Sequence, residues 1–323
     1  MHCLSNSGEA LEGELSTDEC RAVIDQLSAI DVFQVNIGGG ESFLRDDFLS
    51  LIRYFHKRGI VTCVSTNGTL INDDLAKKMS TLKGLYLQVS LDGATAEIND
   101  EIRGEGTYQK GLVALDCLAR HSLQFSINMV LTRRNYYQLN TMVELARSYG
   151  ASLRVSRFRP AGRGASSKNW LGPDKHQLES FAEWLEKNDL VRTGDSFFCL
   201  TSEKRRRKGL DMCGAAKMTC CISPTGDLYP CAFLQENPFL AGNIRTHNFK
   251  HLWDDSPIFR SLRVLTPDHC INCVRFDECR GGCPAVAYHT YNDINMPDPE
   301  CLLNLKRLDI ELPINLKVLD NVT

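Results

Sequence analysis

The sequence predicts an α/β protein: a parallel sheet followed by a small cysteine-rich module. Three observations predict it. Short β-rich runs alternate with amphipathic helical stretches over the first half of the 323-residue chain, the pattern of βαβ units and a parallel sheet. Polar and glycine-rich turns follow the early strands, where α/β barrels and open sheets bind ligands. Nine of the 14 cysteines fall between Cys213 and Cys301, so the composition changes near residue 200.

The elements follow in order. Ser16-Thr17-Asp18-Glu19 is a capping-box sequence opening a helix through Ile30. Val32–Ile37 is a strand ending at Gly38-Gly39-Gly40-Glu41, and Asp46–Lys57 is a helix. Ile60–Ser65 is a strand ending at Thr66-Asn67-Gly68, and Asn72–Ser80 is a short helix. Leu85–Leu91 is a strand ending at Asp92-Gly93. Thr107–His121 and Gln138–Tyr149 are helices flanking the strand Gln124–Leu131. Ala151–Phe158 is the fifth strand, and Pro173–Lys187 one more helix. The basic run Lys204–Lys208 reads as a solvated loop. After it come short segments, turns such as Ser223-Pro224-Thr225-Gly226-Asp227, and cysteines.

Lys and Arg total 37 against 40 Asp and Glu, a net charge of −3, with 43% hydrophobic and 24% charged residues. These values exclude disorder and a strongly cationic nucleic-acid binder. No apolar run approaches the ~18 residues of a membrane span, and the N-terminus lacks the basic and apolar regions of a secretory signal. The expectation is a cytoplasmic protein with neither nucleic acid nor membrane as partner. Its expected division is residues 1–200 and 201–323.

In the cytosol a cysteine-rich segment points to metal or redox chemistry rather than disulfides. The spacing is Cys213-x12-Gly226-x4-Cys231, then Cys270-x2-Cys273-x5-Cys279-x3-Cys283-Pro284, then Cys301. Thiolates bind iron–sulfur clusters in fours, and the terminal Cys-x3-Cys-Pro occurs in ferredoxins that interleave two clusters. Structural zinc uses similar sets, so spacing alone leaves both open.

This pattern resembles the SPASM extension of radical S-adenosylmethionine (SAM) enzymes. Gly39-Gly40-Glu41 and Ser90-Leu91-Asp92-Gly93 resemble that family's segments at the ends of its second and fourth strands. Ser5–Gly8, Val35–Glu41, Arg159-Pro160-Ala161-Gly162-Arg163-Gly164, Thr193–Phe198, Ala241–Asn243 and Cys279–Cys283 are similar to the mycofactocin radical SAM maturases. The resemblance runs from Cys3 to Cys301. One departure is Ser42, where the family usually has proline. The family's CxxxCxxC motif is matched only by Cys3, as its third cysteine; the other two fall before Met1. The chain as written is therefore expected to start inside the motif and to lack part of the SAM-cleaving site.

The resemblance implies a partial (β/α)6 barrel lacking its first strand, plus a C-terminal SPASM domain. It implies oxidative decarboxylation of the C-terminal tyrosine of a ribosomal precursor peptide. A C–C bond to the adjacent valine follows, and each step converts SAM to methionine and 5′-deoxyadenosine. The implied cofactors are SAM and [4Fe–4S] clusters, one binding SAM and two auxiliary. The implied partners are the precursor peptide, a small peptide-binding chaperone and a reductant such as flavodoxin or ferredoxin. Another SPASM maturase, for example thioether-forming, and a non-catalytic cluster or zinc protein that binds a peptide are the alternatives.

Site residues follow from the same resemblance. Cys3 is one ligand of the SAM cluster. Gly39 and Gly40 let backbone approach the SAM amino group, with Glu41 beside it. Asn67, Ser90 and Asp92, at strand ends, are candidates for the SAM carboxylate or ribose; turn chemistry explains them equally well. Arg157 and Arg159 share one strand face and Arg154 takes the other. If that shared face is the lumen, Arg157 is a cofactor-binding candidate. The implied ligands are Cys213, Cys220, Cys231 and Cys283 for the first auxiliary cluster, with Cys221 as competitor to Cys220, and Cys270, Cys273, Cys279 and Cys301 for the second. Cys20, Cys63, Cys117 and Cys199 read as small buried hydrophobes, and His2, His247, His251 and His289 as structural.

Overall fold

The computed structural model describes residues 2–193, 197, 199–200, 212–301 and 303. Five strands pair in parallel, in chain order: β1 (Gln34–Ile37), β2 (Val61–Thr66), β3 (Leu85–Ser90), β4 (Phe125–Leu131) and β5 (Ser152–Arg157). Helix α1 (Thr17–Ser28) precedes the sheet. The crossovers are α2 (Phe48–Lys57), α3 (Asp73–Ser80), the pair α4 (Ala96–Arg103) and α5 (Thr107–Arg120), and α6 (Leu139–Ser148). Short α7 (Arg163–Ser166) and α8 (Lys168–Leu171) lead to α9 (Lys175–Lys187). Sequential parallel strands with a helix at each crossover form the wall of a partial β/α barrel. Beyond β5 the wall gains one more rung. Arg192 N–H donates to Leu153 O at 3.0 Å, and Val155 N–H donates to Arg192 O at 2.9 Å.

Strand alternation separates the two faces. Val64, Leu87, Val89, Ile127, Met129, Leu131, Leu153 and Val155 are buried in one core with Ile52, Met79, Leu115, Leu118, Met142 and Phe181 of the helices. Truncating one of these to alanine costs ~2–5 kcal/mol. The intervening positions face the lumen and are mostly polar: Asn36, Cys63, Ser65, Gln88, Ser90, Ser126, Asn128, Arg154 and Ser156. The register fixes their rungs. Ser90 stands opposite Asn128, and Asn128 opposite Arg154.

The capping box of α1 forms as expected. Ser16 Oγ accepts from Glu19 N–H at 3.3 Å, and Glu19 Oε2 accepts from Ser16 N–H at 2.8 Å. The helix stops at Ser28 rather than Ile30 because Asp31 turns the chain at φ +59°. Helix α4 was not anticipated. Its signal is Ile98 and Ile102, one turn apart and both buried.

The C-terminal module holds a small antiparallel sheet, β6 (Cys221–Ile222), β7 (Asp227–Tyr229) and β8 (Gly242–Asn243). Helices α10 (Phe249–Asp255), α11 (Pro257–Arg263), α12 (Phe276–Cys279) and α13 (Pro284–Tyr291) follow. Gly226 makes the expected turn at φ +90°, and a Cβ there would press on Asn243 and Ile244 at 3.1 Å. The module packs on both flanks of the open sheet. Leu228, Ile244, Phe249, Leu252 and Phe259 share a core with Ile24 and Leu27 of α1 and Leu51 of α2. At the other flank, Asp298 reaches the end of β5. The Lys204–Lys208 run and the tail after residue 303 lie outside the described residues. Among the described residues no helix is long and apolar enough to cross a membrane.

Candidate active site

Cys3 sits at the C-terminal mouth of the sheet. Its Sγ accepts from Ser7 N–H at 3.3 Å, and its carbonyl accepts from Arg163 N–H at 3.0 Å. Burial pushes the thiol up, but the Ser7 N–H and hydroxyl and the Arg163 charge outweigh it and hold it below the ordinary range. The surroundings therefore favour thiolate, the form that binds metal. On one side of this loop Gly40 approaches closely; a Cβ there would touch Ser7 Cβ at 3.5 Å. On the other, Arg163 Nη1 donates to Ser7 O at 2.9 Å.

The glycine turn after β1 is open at Gly39, with φ +136° and nothing within 4 Å of a built Cβ. Backbone N–H groups there are accessible to a ligand. Glu41 is engaged within the protein. Its carboxylate accepts from Thr66 Oγ1 at 2.9 Å and from Asn67 N–H at 2.9 Å, tying the β1 turn to the end of β2. Asn67 Oδ1 accepts from Thr69 N–H at 2.8 Å, an Asx turn. Ser90 faces the lumen at the end of β3. Asp92 does not: it is fully buried and accepts from Val130 N–H at 2.7 Å, with Arg103 Nε at 2.7 Å and His2 Nε2 at 2.5 Å. Burial raises its carboxyl, but the Arg103 and His2 charges prevail and hold it well below the carboxylate range. Asp92 is thus a buried anchor, with Arg103 and His2 as its charged partners. His2 carried no ligand-like spacing, and its partner lies 90 positions away.

The shared face of Arg157 and Arg159 is neither lumen nor solvent, which corrects the expectation for Arg157. It alternates with Ser156 and so follows Val155 onto the buried face of β5. Its guanidinium donates to both Asp298 oxygens at 2.7 Å and pairs with Glu300 at 2.7 Å. Arg159 stacks 3.4 Å from the centre of the Phe233 ring. Arg154 is the arginine on the lumen face.

All 14 cysteines are free thiols. Cys213, Cys231 and Cys283 are electrostatic neighbours. Burial, then Cys283, pushes the Cys213 thiol up to about 12. Burial, then Cys283 and Cys213, also raises Cys231, while Arg159 opposes both shifts. Converging thiols beside a cation suit an anionic cluster, whose binding displaces their protons. Cys221 borders the small core that Cys231 and Cys283 also join, whereas Cys220 borders the core shared with α1. Cys220 immediately precedes β6 and Cys221 opens it, and because the two border different cores we take Cys221, the competitor, as the nearer candidate for this set.

Cys270, Cys273 and Cys279 follow one another through tight turns, with Cys273 N–H donating to Cys270 O at 3.0 Å. Burial, with a smaller contribution from Cys273, raises the Cys279 thiol. Cys301 packs instead against the barrel core, near buried Cys199. Among the described residues no three Cys, His, Asp or Glu side chains stand in metal-holding geometry. The first thiol set is gathered without being caged, and the second is gathered only in part. Cys63, expected as a buried hydrophobe, faces the lumen half-buried.

Comparisons with known proteins agree with this arrangement. The radical SAM superfamily pattern matches residues 1–146, and the SPASM iron–sulfur cluster-binding domain matches residues 213–284. The chain is 42% identical over 308 residues to mycofactocin maturase MftC of Mycobacterium ulcerans (strain Agy99), covering 94% of this chain and 84% of that protein. The fold matches Streptococcus suis SuiB bound to S-adenosylmethionine with a TM-score of 0.74 at 18% identity, over 93% of this chain and 73% of that one. It also matches anSMEcpe with bound AdoMet and Kp18Cys peptide, with a TM-score of 0.68 at 20% identity, over 89% of this chain and 86% of that one.

Barrel wall, mouth cysteine and thiol-rich module together define a radical SAM enzyme with a SPASM extension. SAM and [4Fe–4S] clusters are its cofactors. Within that class, the chain belongs to the mycofactocin maturase family.

Proposed function

We propose that the protein matures a ribosomally made precursor peptide by oxidatively decarboxylating its C-terminal tyrosine and joining that residue to the adjacent valine. The carrying observation is the 42% identity to a mycofactocin maturase along 94% of the chain. When bound, reduced cluster and SAM supply the hydrogen-abstracting chemistry. The chain's own residues bind, orient and exclude water. Cys3 is one ligand of the SAM cluster. Backbone N–H groups at Gly39 and Gly40 meet the SAM amino group, while Glu41 and Asn67 hold that turn in shape. Ser90 offers its hydroxyl from the lumen wall, and Asp92 orients Arg103 and the Cys3 loop. Cys213, Cys221, Cys231 and Cys283 hold one auxiliary cluster. Cys270, Cys273, Cys279 and Cys301 hold the second. The peptide arrives on a small chaperone, and a flavodoxin or ferredoxin supplies electrons in the cytoplasm.

The test is mass spectrometry of a peptide ending in Val-Tyr, co-expressed with the chaperone and a chain carrying all three CxxxCxxC cysteines. Loss of CO2 supports the reading. Loss of two hydrogens alone points to a different maturase chemistry. An unchanged peptide, with zinc in place of iron in the anaerobically purified protein, points to a non-catalytic role.

A further inference from the structure

Several arginines lie on the strands and their crossovers, and most are committed. Arg103 pairs with Asp92, Arg157 with Asp298 and Glu300, and Arg159 lies on Phe233. Arg154 differs. It stands mid-strand on the lumen face of β5, on one rung with Asn128 and Ser90. Its charge reaches Cys63 of β2, three strands away, where it opposes the effect of burial on that thiol. The side chain is half-buried, and its buried Nε has no hydrogen-bond partner among the described residues.

A buried guanidinium N–H that lacks an acceptor is costly. Its neighbours cannot offset it. Asn128 Oδ1 already accepts from Ser156 Oγ at 2.6 Å, and Ser90 is neutral. The planar fork of arginine suits a carboxylate bound through two parallel hydrogen bonds. A ligand entering this lumen therefore meets a cation with one unpartnered N–H, and hydroxyl and amide groups beside it.

We propose that Arg154 is a carboxylate-binding residue of the barrel lumen. This deepens the function proposed above and rests on it for the identity of the ligands. Two carboxylates belong to that chemistry, that of SAM and that of the peptide's C-terminus. Both present the same group to Arg154, and experiment separates them.

In the first arm, a labelled synthetic peptide ending in Val-Tyr is titrated into the full-length holoenzyme as free acid and as C-terminal amide. In the second, SAM competes with its carboxyl methyl ester. The parent is expected to prefer one free carboxylate by about tenfold or more, the usual scale for a hydrogen-bonded charge pair. Arg154→Gln is expected to erase that preference and Arg154→Lys to retain part of it, both with unchanged thermal unfolding. Loss in the first arm assigns the peptide carboxylate, and loss in the second assigns SAM. A preference that survives in Arg154→Gln, or its absence in both arms of the parent, overturns the proposal. A parent that binds neither peptide form removes the proposed substrate instead, and the SAM arm still decides Arg154. If Arg154→Gln does not fold, Arg154→Lys carries the comparison: an undiminished preference there with the peptide amide or SAM ester overturns a carboxylate site.

Discussion

Arg157 and Asp298 lie 141 positions apart and meet in a two-bond fork, each N–O distance 2.7 Å, with both side chains about 1% exposed. One belongs to the last main strand of the barrel and the other to the cysteine-rich module. Asp298 Oδ2 also accepts from Cys283 N–H at 3.0 Å. The pair therefore ties the barrel mouth to a thiol proposed to hold an auxiliary cluster.

Removing Arg157 leaves Asp298 and Glu300 buried without their cation. Arg157→Ala is expected to cost ~3–5 kcal/mol of stability, the usual penalty for breaking a buried ion pair. Asp298→Ala in the same background should add much less than it does alone, because the partners act as a unit. Urea unfolding of the two single variants and the double variant measures this. Additive losses would show that the fork does not join the modules energetically.

Asp92 gives a pH-dependent outcome. Its folded carboxyl titrates below the ordinary 3.8 because the Arg103 and His2 charges overcome its burial. A carboxyl held down in this way stabilises the fold above its unfolded value, and that contribution fades as pH falls through the folded value. Asp92→Asn removes the charge and leaves Arg103 without its counter-ion. The melting temperature of Asp92→Asn should lie well below the parent's at pH 7. The gap should narrow once the pH drops under about 3.8. A gap constant from pH 7 to pH 3 would contradict the ionised anchor.

The strand–helix order, the glycine turn and the cysteine spacing were legible because each is local. Alternation is plain within Leu85–Ser90, where Leu85, Leu87 and Val89 are apolar and buried, and weaker in Val61–Thr66 and Ser152–Arg157, where Thr62, Thr66 and Arg157 are buried too. Which of two alternating faces is the lumen was not legible at Arg157, because that depends on where Asp298 and Glu300 return in space. The same limit applied to Asp92. An Asp-Gly pair after a strand reads as a turn, and only the fold brings Arg103 and His2 onto it. Cys220 and Cys221 are neighbours that spacing cannot tell apart, and only the fold sets them against different cores.

That separation predicts different iron contents. Cys221 borders the same small core as Cys231 and Cys283, and Cys220 borders the core shared with α1. Cys221→Ala is expected to lose one auxiliary cluster, about four iron atoms per chain, while Cys220→Ala keeps the parent's iron. Iron and sulfide analysis of anaerobically reconstituted protein measures this. The reverse result would return Cys220 to the ligand set.

Gly162 is the last position with a sharp outcome. It lies at φ +54° in the turn that grips the Cys3 loop, and a Cβ there would stand 2.1 Å from Leu4 O and 2.6 Å from Cys3 O. Backbone cannot swing aside as a flexible side chain can, so the loop itself must move. Gly162→Ala should therefore lift the 3–8 segment off Arg163 and break the bonds from Arg163 to Cys3 O and Ser7 O. Hydrogen exchange of that segment should rise about tenfold or more while β2–β4 keep their protection. Gly13→Ala is the control. Gly13 also has positive φ, at +77°, but nothing lies within 4 Å of its Cβ position. It bears backbone strain of ~1 kcal/mol without displacing a neighbour. Equal exchange in the two variants would mean that conformational strain, and not the close approach to the Cys3 loop, is what requires glycine at 162.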